Sequence, residues 1–103
     1  MAPEVFLGKK VKSEKWSDFC PEDIVKSVCD GELFWDIVRE SVISHDWGCW
    51  IIKFSKNNLI AFLNREKYKK NSAAKDLLKT ARTLGEAKDY FLAAVEVEFY
   101  NPD

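Results

Sequence analysis

The sequence predicts a mainly α-helical fold, a compact bundle of about five short helices in one domain spanning residues 1–103. Three observations carry that prediction. Leu33, Phe34, Ile37, Val38, Ser41 and Val42 recur as adjacent pairs every four residues. Trp47, Trp50, Ile51 and Phe54 fall at i, i+3, i+4 and i+7, and Leu59, Phe62 and Leu63 resume the spacing. Behind Ser72, the residues Ala73, Ala74, Leu77, Leu78 and Ala81 line one side of a helix whose other side carries Lys75, Lys79 and Arg82. A small two-stranded β element from the N- and C-terminal segments is the expected addition. The alternative is an α+β fold with a hairpin at 48–64.

Taken in order, residues 1–16 form an entry segment. Val5-Phe6-Leu7 has strand composition, and Gly8 with Lys9, Lys10 and Lys12 resembles a charged sheet edge. Trp16 is expected to anchor this arm. Pro21, followed by Glu22 and Asp23, signals a first helix with Ile24, Val25 and Val28 inward, ended by Asp30-Gly31. A second helix is expected from about Glu32 to Ile43, with Asp36, Arg39 and Glu40 on its polar side.

Residues 46–55 read as a helix capped by Asp46. The β-prone Trp50-Ile51-Ile52 and the helix-weakening Gly48 support the rival strand. Asn57-Asn58 then starts a helix to about Lys69, or turns the hairpin if 46–55 is a strand. Ser72 caps the next helix, and Thr83 to Gly85 breaks it. Glu86 to Ala94 has helical composition, with Ala87, Tyr90, Phe91 and Ala94 on one side. Val95-Glu96-Val97-Glu98-Phe99 alternates as a half-buried strand does, and pairing it with Val5-Phe6-Leu7 is the economical arrangement.

A hydrophobic content of 47% excludes a disordered chain. No apolar run reaches the roughly 20 residues of a membrane span, and no secretory leader pattern opens the sequence. Three cysteines without a CxxC pair suit a reducing compartment, so a cytoplasmic location is expected, or nuclear in a eukaryote.

The net charge of −1 conceals segregation. Residues 17–52 carry eight acids against two bases, whereas 53–84 carry nine bases against two acids. Blocks of this kind either face each other within the fold or select partners by sign.

Candidate chemistry is sparse. Cys20, Cys29, His45 and Cys49 make a formal Cys₃His set, but Cys20 and Cys29 are too widely spaced for a structural zinc pair, so no metal is assigned. Cys20 precedes a predicted helix start, yet Asp18, Glu22 and Asp23 oppose a thiolate there. Gly-rich phosphate loops, HExxH and GxSxG are absent. The expectation is therefore a non-enzymatic chain without a cofactor.

Two binding faces remain. Trp35 falls off the apolar stripe of the second helix, beside Asp36, Arg39 and Glu40, the composition of an interface centre with a polar rim. This predicts a protein-interaction domain, an adaptor, inhibitor or immunity-type factor, with another protein as partner. The alternative is a nucleic-acid-binding regulator using the basic segment 53–82, with Arg65, Lys67, Lys69, Lys70, Lys75 and Lys79 on phosphates and Tyr68 stacked on a base.

Overall fold

In the computed structural model, which describes residues 3–9, 24–41, 43–45, 48–85 and 90–96, the chain is an α+β fold rather than a helical bundle. Two strands, β1 (Pro3–Lys9) and β2 (Ile24–Cys29), precede helix α1 (Gly31–Glu40). A short β3 (Ile43–His45) and β4 (Cys49–Phe54) follow. Helix α2 (Lys56–Leu63), a single 3₁₀ turn at Glu66–Tyr68 and helix α3 (Ser72–Thr83) then lead to β5 (Tyr90–Glu96).

The five strands form one sheet in the order β2-β1-β5-β4-β3, antiparallel at every described pairing. Side chains alternate across it. Val5, Leu7, Leu92 and Ala94 point to the helices and join Leu33, Phe34, Ile37, Leu59, Phe62, Leu77 and Ala81 in the main core. Ile51, Phe91, Ala93 and Val95 point the other way and are also buried, together with Cys49.

That burial on both faces explains the largest correction. Trp50, Ile52 and Phe54 alternate with Cys49 and Ile51 across β4, so the helical spacing of Trp50, Ile51 and Phe54 is coincidental. With both sides apolar, the period of two disappears from the sequence. The same holds for Tyr90–Ala94, expected as the end of a helix and found in strand β5, where all five residues are buried. Trp47 lies outside the described residues, as do Trp16, Pro21 and 86–89.

Other expectations shift for local reasons. Ile24 to Val28 is edge strand β2, and its alternating exposure fits a strand with one covered side. Asp30-Gly31 starts α1 instead of ending a helix, because the Asp30 carboxylate accepts from the Leu33 amide at 2.9 Å. Helix α1 stops at Glu40, and Ile43 opens β3. No hairpin forms at 48–64: Asn57 and Asn58 occupy the first turn of α2, capped by Ser55. The hairpin of this region is β3–β4, and Gly48 adopts φ 71° ahead of β4, a conformation glycine takes without steric cost. The cap of α3 is Asn71, one residue before the expected Ser72. Val5-Phe6-Leu7 pairs with Leu92 to Ala94 rather than with the expected Val95–Phe99, of which Val95 and Glu96 face Glu4 and Pro3, and β1–β5 lies inside the sheet rather than standing as an isolated pair. Residues 97–99 of the expected alternating strand are outside the described residues.

Candidate functional site

Helix α1 presents three kinds of surface. Leu33, Phe34 and Ile37 enter the core. A second row, from Asp30 and Glu32 through Asp36 to Glu40, faces the connector between α2 and α3. Trp35 points away from both and is 52% exposed.

The second row forms a three-rung polar seam. At one end, the Arg65 guanidinium donates to both Glu40 oxygens at 2.6 and 2.8 Å while stacking over the Phe62 ring at 4.2 Å. Two parallel charge-assisted bonds fix the angle between the groups as well as the distance. In the middle, the Asp36 carboxylate accepts from the Tyr68 hydroxyl, the Arg39 guanidinium and, at 2.8 Å, the Lys67 ammonium. At the other end, the Asn71 amide donates to Asp30 and to Glu32, 3.0 Å each, while its oxygen caps α3.

Asp36 is 2% exposed and Tyr68 1%. Burial is the largest single influence on the Asp36 carboxyl and opposes its ionisation. Hydrogen bonds from Lys67, Tyr68 and Arg39, with the Lys67 charge, together outweigh it and hold the pKa below its ordinary value. Burial, then the bond to Asp36, pushes the Tyr68 phenol upward. Glu40 is lowered, chiefly by its hydrogen bond from Arg65.

These contacts revise both expected surfaces. Asp36 is an interior anchor rather than part of an exposed rim, and Glu40 is paired, so Trp35 and Arg39 are the outward members of their set. The Arg39 side chain is 65% exposed. In the basic set, Tyr68 is buried and unable to stack on a base. Arg65, Lys67 and Lys69 pair with Glu40, Asp36 and Glu66. Lys70, Lys75 and Lys79 remain exposed. The sequence signal for this seam was the four-residue spacing of Glu32, Asp36 and Glu40 opposite a basic block, read as facing solvent.

The remaining chemistry is limited. Cys29 lies on edge strand β2 and Cys49 on β4, three strand spacings away, or about 14 Å. The Cys₃His set is therefore not assembled by these two, and Cys20 is outside the described residues. His45 and Cys49 are register partners across β3–β4. Burial pushes the Cys49 thiol up to about 11. An open concavity of about 450 Å³ lies between the starts of α1 and α3, lined by Asp30, Glu32, Lys67, Lys70, Asn71 and Ser72. Its two carboxylates accept from amides, Asp30 from Leu33 and Asn71 and Glu32 from Asn71, while Lys67 turns to Asp36.

Trp35 is the larger of the two exposed big apolar side chains among the described residues, the other being Val25 on β2. Its ring meets the Phe34 ring edge-on at 5.3 Å and 84°. Phe34 in turn meets Trp50 of β4 at 6.0 Å and 76°. The aromatic row Trp50–Phe34–Trp35 thus runs from the sheet to the surface and braces the exposed indole from below. Arg39, one helical turn on, is held in place by Asp36.

The architecture defines a class, an α+β domain in which, among the described residues, three helices pack on one face of an antiparallel sheet. Comparison with protein-family models, with curated proteins and with solved structures returns no match. Among the described residues, no helix is long and apolar enough to cross a membrane.

Proposed function

We infer that this is a non-enzymatic protein-interaction domain, an adaptor, inhibitor or immunity-type factor, whose contact centre is Trp35 with Arg39 beside it. The observation that carries this reading is the exposed indole braced by Phe34 on a helix whose own carboxylates are engaged. Tryptophan and arginine are the residue types that dominate binding energy at protein interfaces. A side chain already held against the fold also loses less conformational entropy on docking than a free one. The cysteine usage suits a reducing compartment, cytoplasmic or nuclear.

The test is parallel affinity capture from the native host with wild-type protein and Trp35→Ala, read by quantitative mass spectrometry. The reading expects a partner retained by the wild type and reduced at least tenfold by the variant, which corresponds to about 1.4 kcal/mol or more of lost affinity. Circular dichroism checks that the variant keeps its fold. Identical capture by both proteins overturns the assignment of Trp35.

A further inference from the structure

The polar seam divides the basic block into two populations. Arg65, Lys67 and Lys69 are paired with acids, and the Lys56 ammonium donates to the Leu84 carbonyl at the end of α3 at 2.5 Å. Lys75, Lys79 and Arg82 are exposed on α3 at i, i+4 and i+7, with Lys70 just ahead of the helix. No ion pair or hydrogen bond engages these four side chains among the described residues. The one acid in α3, Asp76, faces Lys26 of β2 at 3.7 Å. The helix therefore shows solvent a row of cations whose interspersed acid already has a neighbouring cation.

The row is straight and short. With a rise of about 1.5 Å per residue, Lys75 and Arg82 stand about 10 Å apart along the axis. Beside the row, the Thr83 hydroxyl donates to the Thr80 carbonyl. The outer face of α3 carries no large exposed apolar side chain, since among the described residues those are Val25 and Trp35, on other elements. This absence discriminates between partners. Protein interfaces are built on apolar or aromatic centres and are poor in lysine. A polyphosphate backbone needs only cations in a row and provides no pocket for an aromatic anchor.

We propose that the outer face of α3, with Lys70, Lys75, Lys79 and Arg82, is a sequence-independent docking surface for a nucleic-acid backbone, separate from the Trp35 face. Base reading is not part of it. Tyr68 is buried, and a lone arginine among lysines supplies phosphate contacts rather than a bidentate code. Four phosphate contacts imply weak binding with a salt slope near −3.6, so affinity falls on the order of 100-fold between about 50 and 200 mM salt.

The experiment is fluorescence anisotropy of a short labelled DNA duplex and an RNA strand, each in mixed and altered sequence, titrated with wild-type protein across that salt range. Three outcomes support the proposal: binding at low salt, little change with sequence, and at least a tenfold loss in Lys75→Gln/Lys79→Gln/Arg82→Gln. All three positions are exposed and glutamine keeps helix propensity, so the variant is expected to fold, which circular dichroism verifies. Charge reversal by Lys75→Glu/Lys79→Glu is the second variant, and Trp35→Ala is expected to bind as the wild type does. No binding at low salt, binding untouched by either variant, or equal affinity for a poly-glutamate chain of the same charge overturns it, the last in favour of an acidic polypeptide.

Discussion

The Tyr68 hydroxyl donates to the Asp36 carboxylate across 32 residues of sequence, and both side chains are interior. This bond ties helix α1 to the connector between α2 and α3. With Arg39 and Lys67 it leaves the buried carboxylate compensated, and no buried side-chain polar atom lacks a partner among the described residues. A buried charge is tolerated only when it is paired and hydrogen-bonded in this way.

Asp36→Ala is expected to lower unfolding stability by about 2–4 kcal/mol, because it strands a buried phenol and removes the acceptor for two cations. Tyr68→Phe is expected to cost only about 1 kcal/mol, since Lys67 and Arg39 still satisfy the carboxylate. Denaturant unfolding of both single mutants and the double mutant gives the coupling, expected at about 1 kcal/mol or more. Strict additivity would contradict the direct bond.

Acid is expected to weaken the fold through the same group. The folded-state pKa of Asp36 lies below its ordinary 3.8. A lowered folded-state pKa contributes stability above the unfolded value, and that contribution disappears as pH falls through the folded one. Glu40, lowered from 4.5 by Arg65, acts in the same direction. Thermal melts between about pH 6 and pH 2 should show stability declining below about pH 4, with a shallower decline in Asp36→Asn. An unchanged slope in that variant would assign the acid sensitivity elsewhere.

The Glu40–Arg65 pair is half-exposed, so its contribution is modest despite two good bonds. Reversing either charge alone is expected to cost about 0.5–1 kcal/mol, and the exchange Glu40→Arg/Arg65→Glu to recover most of it at low salt. Chemical denaturation of the three variants measures this. A double variant no better than the worse single one would mean that Arg65 acts through its stacking on Phe62 instead.

The two described thiols should differ sharply in reactivity. Cys29 is exposed on the edge strand, whereas Cys49 is buried and its pKa is pushed to about 11. Under native conditions a thiol reagent is expected to label Cys29 quickly and Cys49 only on unfolding. Peptide mapping after timed alkylation resolves the two sites, and early labelling of Cys49 would show that this face of the sheet opens readily.

The legible parts of the sequence were those where one side of an element meets the core and the other meets water. Helices α1 and α3 have that form, with Leu33, Phe34 and Ile37, or Ala74, Leu77 and Ala81, set against polar residues. Each was found within a few residues of its observed bounds. The strand composition of Val5 to Leu7 was also readable, but its partner was not, since Leu92 to Ala94 has the composition of a helix and the alternation begins only at Val95. Trp35 was legible for the same reason, as the residue that does not fit its helix's stripe.

What the sequence could not display was the environment on the second side of each strand. Cys49–Phe54 and Tyr90–Glu96 are apolar on both faces, which erases the two-residue period and lets a chance helical spacing stand out. Nor could local pattern decide which charges face each other, because Asp36 meets Lys67 and Tyr68 only after α2 has folded back across the sheet. The sequence by itself determined an apolar interior, amphipathic helices and opposed charge blocks. Tertiary structure alone decided that the apolar centre is an antiparallel sheet and that Arg65 and Lys67 of the basic block are neutralised by acids of α1, since both depend on contacts between residues distant along the chain.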